Sequence, residues 1–288
     1  MSEFFAALAN PNVPFIRYAL FAGLLSSIPF GIIGSFVVVK RMTYIAGAVS
    51  HTALGGIGMA LYLSTLFGFT LISPLGGAVI FALFSGIIIS LATSFSHARI
   101  DTIIGATWSI GMSIGMVFIY LTPGYIDPMS YLFGNILLIS KTNLIMIAAL
   151  NGFITLCCLV FFNQFVAVSF DKEFAKTRNI NIVLFESFLI LLVSLTVILM
   201  ISLVGIVMVI ALLTLPPAIA GLFAKRMKTL VVVAALLCGC ITSLGLVLSY
   251  VLELPTGSST VILAGAIYLV CVLAKFMFKR RPLRLSAV

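Results

Sequence analysis

The chain of 288 residues is 62% apolar and only 8% charged, with 16 Lys and Arg against 7 Asp and Glu, a net charge of +9 and a mean hydropathy of +1.32. A water-soluble domain is about a quarter charged, so this chain cannot cover a globular surface and is not a soluble enzyme. Its basic residues are strung out along the breaks between apolar runs rather than gathered on one face, which argues for membrane orientation and against a nucleic-acid partner.

The first apolar run, 15–39, exceeds the core of a signal peptide and has no basic stretch before it; it is read as a mature span. Charged or turn-rich breaks follow at 40–41, 67–74, 96–102, 122–142, 169–181, 202–205, 224–228 and 253–259. They predict an all-α, polytopic transmembrane helix bundle of about nine spans, or eight if 202–205 is a break within one helix. Helices are required because lipid offers no partner to open backbone groups. One transmembrane domain fills 1–288, and no break is long enough for a nucleotide-binding domain. With alternate breaks placed inside, the cytoplasmic side collects 14 of the 16 Lys and Arg, all but Arg17 and Lys141. The amino terminus is therefore expected outside and the carboxyl terminus inside.

Within the second span lies His51, remote from either charged boundary. Ionisable groups at membrane depth are costly and mark conduction paths, and imidazole is the commonest transition-metal ligand. His51 is thus expected to line a translocation path and to meet a metal ion transiently. His97 falls in a cytoplasmic break and reads as solvated, while Glu186 stands near the cytoplasmic start of the sixth span, within reach of the interface. The glycines at 55–58 and at 105, 111 and 115 suit close helix packing, and Pro29, Pro74, Pro216, Pro217 and Pro255 interrupt or flank apolar runs. Cys157, Cys158, Cys238, Cys240 and Cys271 all lie inside apolar runs and read as small hydrophobes.

The break 169–181 carries a short-helix signature. Asp171 suits an N-cap, Glu173 the first turn, Lys176 and Arg178 the last turn, and Asn179 a left-handed stop.

Taken in order, these segments resemble a family. The run from Gly34 to Met42 followed by Ser50-His51-Thr52-Ala53-Leu54-Gly55-Gly56 is similar to the start of the permease subunits of bacterial ABC-type importers for zinc, manganese or iron. Ser130 to Leu137 resembles that family's Tyr-Leu-Phe-Gly segment, Phe170 to Ala175 its cytoplasmic coupling segment, and Val204 to Pro216 its late helix; Pro255 to Ser259 matches in kind. The resemblance implies a permease that moves a divalent metal across the bacterial cytoplasmic membrane and holds no permanent cofactor. It is no enzyme itself. Its implied partners are a separate ABC ATPase, an extracytoplasmic metal-binding protein and a second permease copy or paralogue. The segment 171–179 would dock in a groove of the ATPase through Asp171, Glu173, Phe174, Ala175 and Asn179, with Phe174 and Ala175 as its contact face.

The division of labour fits the residues, since the sequence has no G-x-x-x-x-G-K-[ST] loop. Two positions depart from the family. Gly47 stands where many relatives carry an Asp one turn before the histidine, so any oxygen ligand would come from Ser50, Thr52, the backbone or elsewhere. Asn179 replaces the usual Gly. A secondary transporter is the alternative, but proton or sodium coupling calls for several acids or histidines within the spans, and a membrane enzyme for a clustered set. Two His and seven acids, mostly in the breaks, supply neither.

Overall fold

The computed structural model describes residues 14–68, 72–95, 100–124 and 141–279. His97, Asp127, the segment 130–137 and the basic tail beyond 279 lie outside the described residues. Among the described residues eleven helices follow in chain order: α1 Pro14–Val39, α2 Thr43–Phe67, α3 Pro74–Phe95, α4 Ile100–Leu121, α5 Lys141–Val160, α6 Phe162–Phe170, α7 Lys172–Thr177, α8 Ile182–Val204, α9 Ile206–Phe223, α10 Met227–Leu252 and α11 Thr256–Lys279. The described residues contain no strand.

Each of the nine apolar runs appears as a helix or, in the fifth, as the pair α5 and α6, which meet at an angle of 66°. By length and composition, seven of the described helices suffice to cross a membrane, or eight if the bent pair is one span, and α8 adds a described apolar stretch from Ile182 to Ile198. Between α8 and α9 the chain breaks at Gly205 alone, whose φ of 81° and ψ of 161° lie in a region open essentially only to glycine.

Most of α1 and α2 is buried, while α4 and α11 are largely exposed along apolar faces. Glycine sets how closely the inner helices approach. A Cβ at Gly111 of α4 would stand 2.6 Å from the Thr52 Cα of α2, and one at Gly55 would stand 2.7 Å from the Gly111 carbonyl. Gly58 and Gly115 repeat the contact one turn on, and Gly56 meets Gly77 of α3 in the same way. Thr52 adds a polar tie, its Oγ1 lying 3.1 Å from the Thr107 carbonyl. Small residues here bring α2, α3 and α4 together by backbone contact, which compensates in lipid for the missing hydrophobic drive.

The bend between α5 and α6 has no Pro or Gly at its corner, Phe161; an aromatic cluster holds it. Phe165, fully buried, packs its ring against those of Phe36, Phe161, Phe185 and Phe188, at centroid separations of 5.7–6.4 Å. Such edge and tilted pairs add about 0.5–1.5 kcal/mol each beyond area burial. The cluster seats α6 against α1 and α8, and so fixes where α7 begins.

Candidate functional site

His51 and Trp108 are each the ninth residue of their helices, α2 and α4, so each lies about 12 Å along its helix from its start, roughly half the hydrocarbon thickness. Their rings stack, with centroids 4.5 Å apart and an interplanar angle of 16°. Both side chains are half-buried, and the imidazole Nδ1 is buried with no hydrogen-bond partner among the described residues. Gly47, one turn before His51 on the same helix face, lies beneath the same indole: a Cβ there would stand 2.9 Å from the Trp108 ring. The three residues form one packed unit.

The hydroxyls proposed as oxygen ligands are engaged elsewhere. Ser50 donates to the Ala46 carbonyl at 2.7 Å, and Thr52 to the Ala48 carbonyl at 2.7 Å, both on their own helix. Neighbouring residues on a helix point about 100° apart, so residues 50, 51 and 52 cannot converge on one ion. Among the described residues no group of three or more His, Cys, Asp or Glu could hold a metal. What the geometry offers is a single imidazole at membrane depth, capped by an aromatic face. Trp108 was not singled out by the sequence reading; the signal that could have found it is a lone Trp at the same helical depth as the lone intramembrane His.

After α6 the short helix α7 forms as its residues require. The Asp171 carboxylate accepts from the Phe174 N–H at 2.9 Å, and Glu173 and Lys176 occupy the first and last turns, paired at 2.9 Å. Asn179 has a φ of +56°. Its N–H donates to the Lys176 carbonyl at 2.9 Å and that of Ile180 to the Ala175 carbonyl at 3.0 Å, the bond pair of a Schellman stop. One expectation fails. Phe174 and Ala175 do not share a face: Phe174 is 47% exposed with the Arg178 guanidinium 5.5 Å from its ring centroid, whereas Ala175 is fully buried against its own chain. Consecutive helical residues diverge too far for both to meet one partner, and the bundle has taken Ala175.

Glu186 does more than reach the interface. Its Oε1 lies 2.6 Å from Lys40, just past the end of α1, and 2.9 Å from Lys172, the first residue of α7. One carboxylate therefore ties α7 to the turn that leads into α2, beside a cavity of about 500 Å³. The Lys40 side chain is 10% exposed; burial holds its pKa below the ordinary lysine value, with the Glu186 carboxylate opposing. Glu186→Gln leaves that ammonium buried and unpaired, and is expected to destabilise the protein by about 3 kcal/mol. The double variant Glu186→Leu, Lys40→Met should regain most of this, and Lys172→Ala, at a lysine 59% exposed, should cost no more than about 1 kcal/mol. Thermal unfolding of the detergent-solubilised protein measures all three, and equal losses in the Glu186 and Lys172 variants would refute this ranking.

The profile of a family described as the ABC 3 transport family matches residues 12–275. A probable metal transport system membrane protein of Chlamydia muridarum is 35% identical over 91% of this chain and 89% of its own. The manganese import system permease protein ScaB of Streptococcus gordonii is 28% identical, over 89% of this chain and 90% of its own. Among solved structures, PsaBC from Streptococcus pneumoniae in complex with Fab has a chain that superposes with a TM-score of 0.81 at 28% identity, over 94% of both chains.

Proposed function

The chain belongs to the ABC 3 transport family, and from that premise we propose that it is the permease subunit of an importer that carries a divalent metal ion, zinc, manganese or iron, across the bacterial cytoplasmic membrane. It is a multi-pass membrane protein and shares nearly its full length with permeases named for metal transport. The observation that carries the reading is this end-to-end match joined to a single imidazole at mid-membrane depth with an unpartnered ring nitrogen. A separate ATPase would bind the cytoplasmic face at α7, an extracytoplasmic protein would deliver the ion, and a second copy or paralogue would complete the pore. Metal-stimulated ATP hydrolysis by the complex reconstituted in proteoliposomes tests this, with zinc, manganese and ferrous iron supplied in turn. Hydrolysis indifferent to all three would overturn it.

The orientation and the nine-span topology belong to the same proposal. They rest on the concentration of Lys and Arg in alternate breaks. In Asp127→Cys protein the introduced thiol should react with an impermeant reagent from outside the cell, and in Lys176→Cys protein only after permeabilisation. The reverse pattern would move α7 to the wrong side of the membrane for an ATPase.

A further inference from the structure

Resting on the reading of His51 as part of a metal path, we propose that Trp108 and Gly47 set the metal preference of that path. The indole fills the place on the His51 face from which a carboxylate could share an ion. The path then favours divalent ions that bind imidazole readily, zinc in particular, over manganese, which asks for charged oxygens.

The argument begins with what surrounds the imidazole. On its own helix the positions that share its face are Gly47 and Ala48 before it and Leu54 and Gly55 after it, none with a donor atom in its side chain. From α4 the facing group is the Trp108 ring, stacked at 4.5 Å. Gly47 and Trp108 are mutually dependent, because any side chain at 47 would run into the indole. This chain has therefore given an aromatic group the volume in which a side chain one turn from His51 would lie.

Among the described residues no acid makes up the loss. Asp101 is in the first turn of α4, Asp171 and Glu173 belong to α7, Glu186 is held by two lysines near the start of α8, and Glu253 caps the end of α10. Glu3 and Asp127, outside the described residues, fall before the first apolar run and in the break 122–142 of the sequence. A second copy of this chain would bring a second His51 and a second Trp108 but no carboxylate at this depth. None of the five cysteines is on α2 or α4.

Ligand chemistry then decides between ions. Manganese binds imidazole most weakly among the first-row divalent metals and is held chiefly by carboxylate and carbonyl oxygen, whereas zinc is content with imidazole and water. The aromatic face attracts both ions alike through its quadrupole and does not discriminate.

The test is uptake of radioactive zinc and manganese by proteoliposomes that hold the wild-type chain with its ATPase and binding protein. Zinc should be favoured by at least about tenfold at equal concentration, and excess manganese should compete poorly. The double variant Gly47→Asp, Trp108→Ala, which opens the volume and places a carboxylate one turn from His51, should raise manganese uptake relative to zinc by about tenfold. Trp108→Asp supplies the carboxylate from α4 with no addition at Gly47 and should shift the ratio the same way, should the double variant fail to fold. Trp108→Ala alone should leave the preference with zinc. Equal transport of both metals by the wild type, or an unchanged ratio in a folded variant that carries the acid, would overturn this proposal while leaving the permease reading intact. A wild-type complex that moves no metal at all would overturn both.

Discussion

Replacement of His51 by Leu is expected to lower metal uptake by about tenfold or more, the effect of about 1.4 kcal/mol lost at the ion's contact in the membrane, while the protein's abundance in the membrane stays normal. The two readouts separate because the imidazole contributes little to folding. Among the described residues its Nδ1 has no hydrogen-bond partner, and its ring stacks on Trp108. An aromatic pair is worth about 0.5–1.5 kcal/mol, and a leucine in lipid recovers most of that by removing a polar group from an apolar place. Uptake by a given amount of inserted protein is the measurement. If it is unchanged, His51 is a packing residue and the ion passes elsewhere.

The sequence disclosed the parts of this molecule that depend on local chemistry. The helix boundaries at Lys40, Pro74, Gly205 and Glu253 fall where charge, Pro or Gly interrupts an apolar run, and the Asp171 cap and the Asn179 stop follow from side chains that satisfy the backbone beside them. Hidden were the features set by contacts between distant segments. Nothing around Phe161 marks a 66° bend, because the bend is held by rings from α1, α6 and α8 that come together only in the fold. Glu186 was visible as an acid near the interface, yet its two lysines are remote in sequence or across a turn, and only the packing of α1 against α6 and α8 makes it a junction. The site shows the same division. His51 stands out as an ionisable residue in an apolar run, and Gly47 as the absence of an acid. That Trp108 occupies the space is a fact of the α2–α4 approach, which a row of glycines allows to be close. The pairing of Phe174 with Ala175 failed for a related reason: adjacency along the chain says nothing about which of two neighbours the bundle claims.

Phe174→Ala is expected to weaken capture of the ATPase by about thirtyfold, corresponding to about 2 kcal/mol, and to abolish most metal-stimulated hydrolysis without altering insertion of the permease. The side chain is a bulky aromatic ring on the exposed face of α7, with Arg178 over its face, and large exposed aromatics with an adjacent guanidinium are the groups that anchor interfaces. Its removal empties no part of the bundle, so the effect on stability should stay within about 0.5 kcal/mol. Ala175→Glu should behave differently. A charge at that fully buried position would detach α7 from α6 and α8, so that lost coupling would come with lowered thermal stability. That contrast would assign the roles: Phe174 to the partner contact and Ala175 to holding the helix that presents it, while the ties from Lys172 and Lys40 to Glu186 connect that helix to the turn leading into the helix of His51. Co-purification of the ATPase with each variant, alongside hydrolysis and unfolding temperature, distinguishes the two. Phe174→Ala protein that retains both the ATPase and its stimulation at the wild-type level would remove α7 from the transmission path, whatever the metal carried.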